Sequence, residues 1–416
     1  MSRHPVVLVC AGAAASWGTR VRTWAGSDSV PLAITFCPSV DHLRARLRAS
    51  PSRRTVLLDG DLPDVDRDLL ADITAAAGVA VIVEGTRRRL AWQRLGAAGV
   101  LTADFDQTQL VSAITPSAAL PVARETPAAG PLIAVTGPGG TGASVTAIAL
   151  AQGLAAAAGR VLLCDCCLHA EQAMLHNAHG GHPGLADVIE MHAEYRPTVR
   201  QVRQLALGIV ERGYHLMLGL RRARHWSSVR SASLYAALTS LRTAFDVVIA
   251  DVDADVDGEL QTGSAEIEER NVIARAVFAR ADVTLVVGQP SMKGVYALVR
   301  TVTDLLEFGV APQHVLPVLN QSTGGPGERA ALARAVRHLI DGAEGGPQVG
   351  PVLFLPAVAL EAHLRDCEAL PEPLSRTLAE ATQALLGRHG VRQTAPAPAL
   401  QRVAPGALGH WGGADP

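Results

Sequence analysis

The feature that most constrains the fold of this chain is a repeated alternation of short apolar runs of strand length with stretches of helix length. From Pro5 to about Ile114 the runs are VVLVC, LAITFC, TVLLD, VAVIVEG and GVL. Apolar runs bounded by turn residues and separated by helix-length crossovers read as strands of a parallel sheet buried on both faces. The alternation restarts at Leu132 with LIAVTG, VLLCD, YHLMLGL, FDVVIAD, VTLVVG, VLPVLN and VLFLP, and continues to a last helix near Leu385. Between the two series, residues 115–131 are rich in Pro, Ala and Ser, which packs poorly and punctuates helices and strands. The expected fold class is therefore α/β throughout. A parallel-sheet domain spans 1–114, a linker 115–131, a second doubly wound parallel sheet 132–389 and a flexible tail 390–416.

Composition narrows the function classes. Hydrophobic residues make up 48% of the 416 positions and charged residues 18%, ample for buried cores. The formal net charge of −2 leaves no whole-protein field to attract nucleic acid or anionic lipid, so any such binding must be local. Lysine occurs once, at Lys293, and the six cysteines do not form two spaced CxxC pairs, which fits a reduced cytoplasmic setting without disulfides. The longest apolar run, Ala143 to Ala158, is shorter than the roughly 20 residues of a membrane span and reads as a buried helix.

One motif carries chemistry. Strand LIAVT runs into Gly137-Pro138-Gly139-Gly140-Thr141-Gly142-Ala143-Ser144 and then into an Ala-rich helix. Backbone N–H groups of a glycine loop between strand and helix point at phosphates, and the helix N-terminus adds a favourable dipole. The phosphate-loop pattern G-x-x-x-x-G-K-[ST] is met at Gly137, Gly142 and Ser144, but Ala143 stands where the lysine should. A charge-assisted hydrogen bond contributes about 1.5–3 kcal/mol, so losing that lysine weakens phosphate binding by roughly ten- to a hundredfold or more.

On these residues the chain resembles the MinD/ParA superfamily, whose deviant loop reads KGGxGK[ST]; Pro138 then replaces the lysine that reaches across a dimer. The resemblance implies further roles. VLLCDCC is similar to the strand ending in D-x-D, so Asp165 takes the first, magnesium-side position and Cys167 stands where a carboxylate acts on the attacking water. FDVVIAD is similar to the Walker B strand and gives Asp251 a magnesium-side role beside Ser144. VLPVLN places Asn320 at adenine, and VLFLP ends at Pro356 in the segment that closes over the base. ATP and magnesium are thus implied at low affinity, with little or no hydrolysis and no catalytic residue assigned.

The first series resembles response-regulator receivers, because Asp59 ends the third run and Pro63 follows four residues on. The acidic pair that should hold magnesium is missing after VVLVC, and the fifth run ends at Leu101-Thr102 without a lysine, so a structural or docking role is expected for Asp59. A receiver-like (flavodoxin-like) domain followed by a MinD-like one is the arrangement of the CpaE/TadZ-like branch, including its actinobacterial Ssd-like members with a similarly degenerate loop. That resemblance implies a homodimer in the cytoplasm, recruited to septum or pole. It would act with cell-division or secretion and pilus proteins, the alternative being a slow ATPase that serves as a localisation switch.

Other features compete for attention. Asp253, Asp255 and Asp257 open like a calcium loop, but Ser264 stands at the twelfth position where a bidentate Glu is wanted; an acidic switch loop is the better reading. The basic stretch Arg221 to Arg230 is the one place where nucleic acid could bind, and a solvated loop is favoured over it. Cys164, Cys166 and Cys167 read as core thiols, and His169, His176, His179 and His182 as members of a mobile loop rather than a metal cluster.

Overall fold

The computed structural model describes residues 6–13, 15–26, 32–49, 54–86, 90–114, 129–157, 159–178, 181–341 and 348–388. Most of the expected linker (115–128) and all of the expected tail (390–416) lie outside the described residues. The first sheet is built from β1 (Val6–Cys10), β2 (Ala33–Phe36), β3 (Arg54–Asp59), β4 (Gly78–Glu84) and β5 (Gly99–Thr102). Its order is β2-β1-β3-β4-β5 and every pair is parallel, the flavodoxin-like order.

The second sheet comprises β6 (Leu132–Thr136), β7 (Val161–Asp165), β8 (Leu207–Ile209), β9 (Tyr214–Met217), β10 (Val247–Asp251), β11 (Val283–Gly288), β12 (Val315–Ser322) and β13 (Leu353–Pro356). Their order is β13-β12-β11-β6-β10-β7-β9-β8. Every residue of β6, β7, β10 and β11 is buried, which is why these strands read as continuous apolar runs. The period of two still operates: Leu132, Leu162 and Val248 join one core, while Ile133, Leu163 and Ile249 join the other, on the opposite face. Helices Ala143–Ala155 and Glu372–Arg388 cover the second face, and helices Leu185–Glu194, Ser231–Ala244 and Met292–Phe308 the first.

The expectation of a wholly parallel second sheet needs one correction: β8 pairs antiparallel with β9 at the edge. A parallel pairing requires a crossover of a dozen or more residues, whereas only Val210–Gly213 separate these strands, so the chain can only fold straight back. Gly213, at φ +77°, takes the left-handed turn.

The two sheets are joined by an arrangement no sequence pattern announces. In helix Arg67–Ala75, Asp66 caps its own helix by accepting from Leu69 N at 2.9 Å. The next two residues cap helices of the other sheet. Arg67 Nε donates to His192 O at 2.7 Å, in the last turn of helix Leu185–Glu194. Asp68 accepts from Ala232 N, Ser233 N and Ser233 Oγ at 2.9, 3.1 and 2.6 Å, at the start of helix Ser231–Ala244, whose own N-cap position, Arg230, supplies no side-chain bond. A cation thus meets a helix C-terminus and an anion a helix N-terminus, as the backbone dipoles favour. Asp68 is 5% exposed, so its loss strands buried donors.

Asp68→Ala is expected to lower unfolding stability by about 1–3 kcal/mol. Asp72→Ala, which removes an exposed partner of Arg44, should change it by less than about 1 kcal/mol. Denaturant unfolding of both variants checks the contrast.

Candidate functional site

Parallel strands bring their C-terminal ends to one edge, and there β6 turns through Gly137–Gly142 into helix Ala143–Ala155. Two glycines are required by geometry. A Cβ on Gly137 would lie 2.3 Å from Val287 O, and Gly142 sits at φ +84°, where it starts the helix without a side-chain cap. The turn is braced by the chain's own side chains. Thr141 Oγ1 donates to Pro138 O at 2.8 Å, Gln289 Nε2 to Gly140 O at 3.1 Å and Asn320 Nδ2 to Thr141 O at 3.0 Å. The loop is therefore braced across itself and tied to the residue after β11 and to β12.

Above the loop lies a cavity of roughly 650 Å³ whose wall includes the loop from Gly137 to Ser144. Its charged side chains are mostly acidic. Glu171, Asp251, Asp253 and Asp255 face it, against one guanidinium, Arg270, which already lies 3.9 Å from Asp255. Pro138 and Ala143 are both on the wall, and Ala143 adds apolar surface where the phosphate-loop pattern has its lysine. The helix N-terminus is the remaining source of positive potential in the loop.

Below the cavity, the register of β7 with β10 sets Asp165 directly beside Asp251. Both are almost fully buried, and among the described residues no arginine or lysine is paired with either. Gln172, 0% exposed, ties them together: its backbone N donates to Asp165 Oδ2 at 2.9 Å and its Nε2 to Asp251 Oδ2 at 2.7 Å and Ser144 O at 3.2 Å. Burial pushes the Asp165 carboxyl up to about 8, and the negative charge of Asp251 adds to the rise, against the bonds from Gln172 and Cys167. Burial raises Asp251 to about 6, with Gln172 and Ser144 opposing it. Cys167 donates its thiol to Asp251 O at 3.5 Å, and burial together with the two neighbouring carboxylates raises its pKa. A protonated thiol does not take a proton from water, so the position offers no general base.

The site residues read from the sequence fall into distinct places. Gly137, Gly139, Gly140, Thr141, Gly142, Ala143, Ser144 and Asp251 converge on the cavity wall, with Asp165 buried beside Asp251. Asn320 is spent on the loop and on its own neighbour, its Oδ1 accepting from Gln321 N at 2.9 Å, and Gln321 rather than Asn320 lines the cavity. Pro356 ends β13 opposite Ser322, exposed and off that wall. Lys293 is exposed at the start of helix Met292–Phe308 and also off it. Ser144 and Asp251 have the oxygen donors that a magnesium-nucleotide shell uses, whereas the sulfur of Cys167 does not suit magnesium. Sequence reasoning missed Gln172, Gln289 and Arg270, which act through tertiary contacts and follow no spacing rule.

Other expectations resolve locally. His176, read as part of a mobile loop, is instead buried, its ring nitrogens 2.7 Å from Gln172 O and from Tyr214 OH; His179 lies outside the described residues. Asp59 accepts from Gly12 N and Asp61 N, each at 3.0 Å, so one oxygen braces its own turn and the other ties it to the loop after β1. Arg221, Arg222 and Arg224 line a hollow of roughly 460 Å³ that shares Leu168, His169 and Glu171 with the loop cavity. Asp253 accepts from Leu168 N at 2.6 Å, fixing the acidic loop as a cavity wall. Among the described residues, no helix is long and apolar enough to cross a membrane.

No protein-family model matches the chain, and no curated protein matches it. Solved structures do. The septum site-determining protein MinD of Pyrococcus horikoshii OT3, complexed with Mg-ADP, aligns at 14% identity and a TM-score of 0.46 over 64% of this chain and 99% of that one. A singly substituted form of Cyanothece McdA in complex with ATP aligns at 17% and 0.45, over 64% and 98%. A ParA family ATPase of Chlorobium tepidum TLS aligns at 15% and 0.44, over 64% and 94%.

The buried carboxyls make a pH prediction. Asp165 keeps its proton in the folded chain up to about 8 but loses it near 3.8 when unfolded, so the folded form binds more protons between those values and stability falls as pH rises. Below 6.5, His176 and His192, whose pKa values burial lowers to about 4, act in the opposite sense; the clean window is 6.5 to 8. In EDTA, denaturant stability should fall by about 1–2 kcal/mol across that window, and Asp165→Asn should flatten the slope.

Proposed function

We propose that the chain is a spatial regulator of the MinD/ParA kind, from the CpaE/TadZ-like branch, that has kept the nucleotide-binding shape and given up hydrolysis. The observation that carries this reading is the charge of the loop cavity, four carboxylates against one paired arginine, with Pro138 and Ala143 where the two lysines belong. An ATP polyphosphate entering such a cavity meets repulsion instead of the cations that phosphoryl transfer needs. The ordered landmarks at Ser144, Asp165, Asp251 and Asn320 support descent from a nucleotide-dependent switch. The bonds from Thr141, Gln289 and Asn320 to the loop support a scaffold role. In this reading a homodimer in the cytoplasm is recruited to septum or pole, where it binds cell-division proteins or those of a linked secretion or pilus system. The receiver-like sheet, with Asp59 bonded to its own turn and to the loop after β1, docks rather than receives phosphate.

A second reading is a slow ATPase acting as a localisation switch. It is favoured by Ser144 and Asp251 still lying together on the cavity wall beside buried Asp165.

A phosphate-release assay on the purified chain with ATP and magnesium separates the two. The regulator reading expects no release above buffer, and expects Ala143→Lys to tighten ATP binding by roughly tenfold or more. Release by the unaltered chain that disappears in Asp251→Ala would establish the second reading in its place.

A further inference from the structure

We propose that Asp165, Cys167 and Asp251 form a site for a borderline divalent cation of the zinc class, in place of a magnesium site. One ligand atom from each of the three side chains lies within 4.8 Å of the other two. The fold produces this closeness: paired register on adjacent parallel strands sets the two carboxylates side by side, and Cys167 follows Asp165 by two residues, where the chain leaves the sheet. The cluster borders the loop cavity through Cys167 and Asp251, so an ion has a route in.

A second, independent feature points to a ligand. The amide head of Gln172 lies against the cluster, with Nε2 2.7 Å from Asp251 Oδ2, and its Oε1 is buried with no hydrogen-bond partner. A buried amide oxygen without a donor is unfavourable, and bonding it to a cation removes that penalty. Turned over about its last torsion, the Gln172 amide would bring Oε1 to the ion as the fourth donor in exchange for its Nε2 bonds to Asp251 and Ser144, giving two carboxylates, a sulfur and an amide oxygen. Magnesium demands hard oxygen ligands in octahedral geometry, whereas thiolate with carboxylate in a four-coordinate set suits zinc. Binding releases the Cys167 thiol proton, and the Asp165 carboxyl proton where it is held, to the solvent buffer; nothing is oxidised or reduced. The inference goes beyond the regulator reading and stands apart from it, since one is read from metal spectra and the other from phosphate release.

The test is anaerobic titration of the full chain, stripped with chelator and kept reduced, with cobalt(II) as a spectroscopic stand-in for zinc. The expected result is a sulfur-to-cobalt charge-transfer band that saturates at one equivalent, is bleached by stoichiometric zinc, and survives magnesium at roughly a hundredfold excess. Cys167→Ser should abolish the band while Cys367→Ser keeps it. Cys167→Asp, which restores an all-oxygen cluster and guards against misfolding of the serine variant, should lose the band and let magnesium displace cobalt. Absence of the band, its persistence in Cys167→Ser, or its loss to magnesium in the unaltered chain would overturn the proposal.

Discussion

The structure turns on two carboxylates buried side by side. A parallel, doubly wound sheet sends every strand's C-terminal end to one edge, and pairing β10 with β7 leaves Asp165 and Asp251 adjacent and out of water. Two like charges so placed repel each other and are poorly solvated, so the chain answers with protonation and with Gln172, whose backbone and side chain bond to both. The surroundings follow from that solution. Gln172 also reaches Ser144 O in the glycine loop, and its own carbonyl oxygen lies within hydrogen-bonding distance of His176, which contacts Tyr214. A continuous buried network therefore runs from the loop helix to β9.

The loop above this network has the form of a phosphate cradle and the opposite electrostatics. Its backbone is held by Thr141, Gln289 and Asn320, so its shape persists for internal reasons, and the glycines at 137 and 142 are explained by a close carbonyl and a left-handed turn. Shape and charge have separated here: the wall offers four acidic side chains and one arginine held by Asp255.

Much of the architecture was legible in the sequence because fully buried parallel strands must be apolar along their whole length. LIAVT and VVIAD, buried throughout, and VVLVC, buried from its second residue on, announced themselves in this way and sit where the alternation put them. The three-residue β8 escaped, being too short and too exposed at the sheet edge to carry a run. The loop, Asp165 and Asp251 were legible because strand-end positions are tied to a motif. Gln172 was not, since it reaches the carboxylates by a turn of backbone seven residues after Asp165 and follows no pattern. No motif marks Arg67 and Asp68; only the packing of one sheet's helices on the other's gives them helix ends to cap.

The most direct measurement is calorimetric titration of the purified chain with ATP and magnesium. The charge reversal of the cavity predicts no saturable heat at nucleotide concentrations up to about millimolar, where an intact phosphate loop binds readily. A saturable isotherm with micromolar affinity would contradict it, and would mean that the helix N-terminus and the loop amides outweigh the acidic wall.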